Sequence, residues 1–245
     1  MTAQDQMEIL NSLRKLFNAK EPGKHPENKA VQKYSKFVFA TIVEPLTPDE
    51  RNKRYADPLA AHLEEQEIGV VTGGGTTLGD RAHPDEKDII DAGIDIEIAN
   101  LDEALALAKS KLIELGAPFG SNIQYEIHEG KFLTEPIGEL ELLYVFIDNV
   151  NLSDEIYENI DTQSLYRAFD TALAGSTIGE ARGSCIWKSE TLIYFAGKSA
   201  DEIFEKIEAL RTNFPILQNA RILFQRKDKE KQTKELRIPF NPNGT

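Results

Sequence analysis

Residues 94–128 read IDIEIANLDEALALAKSKLIELGAPFGSNIQYEIH, and this stretch decides the fold class. Ile94, Ile96 and Ile98 alternate with Asp95, Glu97 and Ala99, a period of two that puts the apolar side chains on one face of a strand. From Leu101 the period changes. Asp102 and Glu103 fill the first turn, Lys109 and Lys111 come later, and Gly116 stands where a left-handed C′ residue belongs, so 101–116 predicts a helix. After the turn APFGS, NIQYEIH (122–128) alternates again as a strand.

Working outward, KFVFATIV (36–43) predicts a strand. TPDERNKRYADPLAAHLEEQ (47–66) predicts a helix with Thr47 as N-cap and Pro48 at the first helical position. IGVVTGG (68–74) predicts a strand joined to 94–100 by a long polar loop, giving the order βαββαβ. The order repeats. ELELLYVFID (139–148) is a strand, and 153–173 is helical, with Ser153 as candidate N-cap. IGEARGSCIWK (178–188) and ETLIYFAG (190–197) form a hairpin. The helix at 199–214 has Ser199 and Glu202 spaced as a capping box, and NARILFQRK (219–227) closes as a strand. The expected fold is therefore α+β: two tandem ferredoxin-like modules with antiparallel sheets, preceded by an amphipathic helix at 6–17. The boundaries fall at 1–35 for the N-terminal helix and linker, 36–135 for module one, 136–228 for module two and 229–245 for a polar tail. A module of this kind leaves one sheet face uncovered, so pairing of the two sheets or their covering by the N-terminal helix is expected, and packing of the modules through sheet surface, with Pro136-Ile137-Gly138 near the boundary, is the preferred reading.

Charge narrows the function. Residues 1–36 carry seven Lys/Arg against four Asp/Glu and residues 221–245 seven against three, so the net −13 of the chain becomes −20 over residues 37–220. Such a surface repels a phosphate backbone, which excludes nucleic acid as the expected partner, and attracts a basic protein. A solvated acidic surface that serves solubility competes with that reading. The acids gather at Glu64 and Glu65, which end the first helix of module one, and at Asp148, Asp154, Glu155, Glu158 and Asp161, on and around the first helix of module two. These seven are the candidate partner-binding residues.

The run Gly73-Gly74-Gly75-Thr76-Thr77, with Arg81 and His83 beyond it, invites a phosphate-loop reading, because successive glycines let backbone N–H groups approach an anion. It does not open into a helix, lacks the G-x-x-x-x-G-K-[ST] pattern, and is followed by Asp85, Glu86 and Asp88, which would repel an anion. Glycines that shape a bulged strand end and a loop are the favoured reading, and a small-ligand or enzymatic site between the modules near 73–88 is the alternative. The four histidines, His25, His62, His83 and His128, are scattered, and Cys185 reads as an inert thiol in a strand. No metal, cofactor or catalytic set is expected. The acidic composition also favours core packing over base stacking for the aromatics Tyr144, Phe146, Trp187, Tyr194, Phe195 and Phe224.

The segments Gly69…Gly73-Gly74-Gly75-Thr76…Gly79, Ile94-Asp95-Ile96-Glu97 and Leu112…Leu115-Gly116-Ala117-Pro118…Gly120 resemble stretches of uncharacterised bacterial tandem α+β proteins of this size, some of which are of the toxin-immunity type. The resemblance covers mainly 68–127 and transfers no functional residue. It implies a stoichiometric inhibitor that occludes a basic partner protein such as a toxin. The lone cysteine and the lack of a long apolar run or a basic leader agree with a cytoplasmic protein and no membrane span. Exposed sheet edges leave room for a homodimer.

Overall fold

In the computed structural model β1 (Lys36–Ile42) buries Val38, Ala40 and Ile42 on one side and turns Phe37, Phe39 and Thr41 to the other. The structure describes residues 34–80, 87–174, 178–228 and 235–239, which belong to one compact unit beginning at Tyr34. The helix predicted at 6–17 lies outside the described residues.

The chain after β1 enters a helix as the sequence prescribes. Thr47 is the N-cap of α1 (Pro48–Arg51), its Oγ1 accepting from the Glu50 N–H while the Glu50 carboxylate accepts from the Thr47 N–H at 2.9 Å. This reciprocal pair satisfies two backbone donors that the first helical turn leaves without partners. A π-helical turn (Asn52–Ala56) follows, then α2 (Asp57–Glu65). The hairpin of β2 (Gly69–Asp80) and β3 (Lys87–Ile98), helix α3 (Asp102–Glu114), and strands β4 (Asn122–His128) and β5 (Lys131–Pro136) complete the first half. The five strands are antiparallel in the order β2-β3-β1-β4-β5. Leu59 and Leu63 of α2 and Ala104, Ala108 and Leu112 of α3 bury against Ile94, Ile96 and Ile98, forming one core.

The second half contains β6 (Glu141–Asp148), α4 (Asp154–Glu158), α5 (Thr162–Leu173), β7 (Gly179–Ile186), β8 (Glu190–Gly197), α6 (Ala200–Glu208), β9 (Arg221–Gln225) and β10 (Leu236–Arg237). Its sheet is antiparallel, in the order β10-β9-β6-β8-β7. Leu165, Phe169 and Leu173 of α5 and Ile203 and Ile207 of α6 cover one face as a second core. Setting aside β5 and β10, the fourth strand of each half lies beside the first, then the third, then the second.

The structure differs from the sequence reading in four places. The hairpin of the first half is longer, because residues assigned to its loop are paired from Gly75↔Gly93 out to Asp80↔Lys87. Strands β5 and β10 are additional. The helix predicted over 153–173 is two helices, because Asp161 caps the second one by accepting from the Ser164 N–H at 3.1 Å. Ser153 is the N-cap of α4 by position, without a side-chain cap bond.

The two sheets treat their helix-free faces differently. On the second sheet Phe146, Leu192 and Tyr194 are buried on that face, with Tyr144, Cys185, Trp187 and Leu223 packed around them. On the first sheet Phe37 is 52% and Phe132 45% exposed, while Phe39, Thr41, Asp95 and Gln124 on the same face are half-buried.

Candidate functional site

The two halves meet at a buried polar cluster that the sequence reading did not single out. Glu44, two residues past the end of β1, is fully buried. Its carboxylate accepts from the Tyr55 hydroxyl at 2.6 Å, pairs with Arg54, and lies 3.7 Å from a guanidinium nitrogen of Arg182. Arg54 also donates to the Arg182 carbonyl at 2.6 Å, and Arg182 to the Tyr55 hydroxyl at 3.2 Å. Arg54 and Tyr55 come from the π turn of the first half, Arg182 from a bulge in β7 of the second. Gly116 is required here twice over: its φ is +80°, and a Cβ would stand 2.5 Å from an Arg182 nitrogen. Nearby, the backbone at Gly138 passes so close to the Pro118 carbonyl that a Cβ would sit 1.6 Å from its oxygen. Gly138 lies in the connection from β5 to β6, and the helix-free face that buries its own cluster is that of the second sheet.

Electrostatics make this cluster a fastener. Burial, helped by the Glu44 charge, pushes the phenols of Tyr55 and Tyr194 far above their ordinary value, and Tyr144 likewise. Burial pulls the Arg54 guanidinium down, but Glu44 and the neighbouring tyrosines outweigh it and its pKa is raised. Tyr55, Tyr144, Tyr194 and Arg54 therefore stay protonated across the physiological range, which suits holding and not proton transfer.

The seven acidic candidates divide. Asp148 is buried, which removes it from any contact surface. Its carboxylate accepts from the N–H groups of Val150 (2.8 Å) and Asn151 (2.9 Å), from the Asn151 side chain and from the Asn219 side chain. Burial alone would raise its pKa, but these donors outweigh it and hold the carboxyl below its usual range. Asp161 is exposed and its carboxylate is engaged in the α5 cap, where the Ser164 hydroxyl and N–H lower its pKa. Asp154 and Glu155 lie in the first turn of α4 and Glu158 at its end, all exposed. Glu64 and Glu65 are exposed at the C-terminal end of α2. Among the described residues no salt bridge engages Asp154, Glu155, Glu158, Glu64 or Glu65.

The glycine run is strand. Gly73, Gly74, Gly75, Thr76 and Thr77 pair with Asp95, Ile94, Gly93, Ala92 and Asp91, with register shifts between Val71 and Gly73 and between Thr77 and Leu78. Gly74 lies close against β3, where a Cβ would stand 2.3 Å from the Gly93 carbonyl oxygen, and Arg51 donates to the Gly75 carbonyl at 3.1 Å. Arg81 and His83 lie outside the described residues. Among the described residues no group of three or more His, Cys, Asp or Glu is placed to hold a metal, and no helix is long and apolar enough to cross a membrane.

No protein-family model and no curated protein matches the chain. Among solved structures, it is similar to the ligand-free regulatory subunit of aspartate kinase from Thermus thermophilus. The identity is 13%, over 71% of this chain and 91% of that one, with a TM-score of 0.21. It is also similar to an unknown protein from Galdieria sulphuraria, at 12% identity over 78% of this chain and 97% of the other, with a TM-score of 0.23.

Proposed function

We propose that the protein is a non-catalytic binding protein that occludes a basic partner protein, as an immunity protein blocks its toxin. The observation that carries this reading is the position of Glu64 and Glu65. The C-terminal end of a helix carries partial negative charge, so exposed carboxylates there are disfavoured, and no salt bridge among the described residues compensates them. Asp154 and Glu155 at the start of α4 have a structural rationale in the same dipole. The acids of α2 do not, and a surface that retains them gains by attracting positive charge from outside. Each half is, on this reading, a ferredoxin-like module. The fourth-first-third-second strand order with helices after the first and third strands supports that assignment.

Affinity purification of the tagged chain from its native host, followed by a salt gradient, tests the function. A basic protein recovered in stoichiometric amount and released as ionic strength rises is the expected result. Reversing charge in α2 and α4 (Glu64→Lys with Glu155→Lys) should lower its association rate at low salt by about 10-fold, within the range that steering contributes. Recovery of the chain alone at low salt would end the proposal.

A further inference from the structure

Among the described residues the two sheets have four edge strands, and three of them are guarded. β5 carries Lys131 and ends in Pro136, β10 pairs over two residues, and β7 bulges at Arg182, whose carbonyl is taken by Arg54. Charges, proline, shortness and cover are the devices by which an edge avoids adding a strand. β2 has none of these: from Gly69 to Gly79 it holds no Lys, Arg, Asp, Glu or Pro. Its two register shifts leave Gly73–Thr77 as a regular stretch between them. Thr72, Gly73, Gly74, Gly75, Thr77 and Leu78 are exposed. Apart from the ladder with β3, the one hydrogen bond to Gly69–Gly79 among the described residues is that from Arg51 to the Gly75 carbonyl.

Gly75 supplies a second observation. Glycine weakens a strand interior, and the usual reasons for it are absent here, since its φ is not left-handed and a Cβ would meet nothing within 4 Å. A glycine that nothing inside the chain demands, on an open edge, marks a place where another backbone comes close.

We infer that β2 is a strand-pairing edge whose occupant is β2 of a second copy, antiparallel about a two-fold axis near Gly75, joining two first sheets into one. The inference goes beyond the reading of the chain as a binder of a basic protein and stands without it. The occupant must be extended, uncharged and in need of backbone partners itself, and β2 meets all three conditions. A two-fold contact sets the same surface on both sides, and an uncharged stretch does so without placing like charges opposite one another. Over longer range the net charge of −13 holds two copies apart, and salt screens that repulsion beyond about 10 Å at 0.1 M. The dimer therefore tightens as salt rises, the reverse of a complex with a basic protein.

Sedimentation equilibrium of the purified full chain tests this. A reversible species of twice 27.5 kDa that tightens with salt is the expected result. Gly75→Lys with Thr77→Lys, at one open and one exposed position, sets ammonium groups of both copies along the joined ladder and should weaken association by at least about 10-fold. Val150→Lys with Ile186→Lys adds the same charge at exposed positions of the second half and should leave the dimer as tight or tighter. Circular dichroism confirms that both variants are folded. A monomer at every concentration and salt would overturn the inference, as would a dimer weakened by both double variants or by neither. Amide exchange at 73–77 should be slow in the dimer and fast in Gly75→Lys with Thr77→Lys. Protection of these amides only when a basic protein is added would show that the partner's strand holds the edge, and would overturn the assignment to a second copy.

Discussion

Asp148 shows what a carboxylate does when the fold surrounds it with donors. In the sequence it is one more acid beside an acidic helix, yet its side chain gathers two backbone N–H groups and two asparagine amides around the end of β6. Because its folded pKa is lowered, its contribution to stability is fully present above the ordinary carboxylate value near 4 and is lost as pH falls through the folded value. Asp148→Asn removes an acceptor of charge-assisted bonds and should destabilise by about 1–3 kcal/mol at pH 7. Urea midpoints of the two proteins should differ most at neutral pH and converge below about pH 3. A difference that grows on acidification would contradict the assignment. The sequence could not reveal this role, because Asn151 is near in the chain but Asn219 arrives from 71 residues away. By contrast the Thr47 cap was legible at once, since all of its partners lie within four residues. Thr47→Ala should cost about 1 kcal/mol, measured by chemical denaturation.

At the scale of elements, local signals located the strands and helices and tertiary pairing reset their ends. Gly116 and the alternating isoleucines of β3 are strong enough to survive any context, so the core strands and α3 were readable directly. The glycine-rich stretch misled because glycine is rare inside strands, and only the facing residues Gly93 and Ala92 show why β2 accepts it. In the same way β5 hides behind a short KFLTEP segment ending in Pro136, tolerated because β5 lies at the sheet edge. The glycines offer a sharp comparison. A Cβ at Gly74 would meet the Gly93 carbonyl oxygen at 2.3 Å, whereas a Cβ at Gly75 meets nothing within 4 Å. Gly74→Ala should therefore destabilise the protein by about 1–3 kcal/mol and Gly75→Ala should leave it within about 0.5 kcal/mol of the parent, read from urea midpoints. Equal losses at both positions would contradict this difference in packing.

For the molecule as a whole the question is whether two similar halves behave as one. Each has its own core and its own helices, so in principle each could unfold alone. The buried cluster between them argues otherwise. Glu44 is fully buried and belongs to the first half, yet one of the two guanidinium groups facing it, Arg182, is anchored in the second. Separating the halves would leave that carboxylate with Arg54 as its one guanidinium, beside the Tyr55 hydroxyl, and would take Tyr194 of the second sheet away from Glu44 and Arg54. Removing one partner of a buried ion pair typically costs about 3–5 kcal/mol, a large share of the stability of a domain. Calorimetry of the parent protein should therefore give one transition, with calorimetric and van't Hoff enthalpies equal. Arg182→Met should lower the midpoint by several degrees and broaden or split the transition as the halves uncouple. Adding Glu44→Gln should recover part of the loss, because the stranded charge is gone. A parent protein that already melts in two steps would show that the junction does not couple the halves. Additive losses in the double variant would show that Glu44 and Arg182 do not act as a pair.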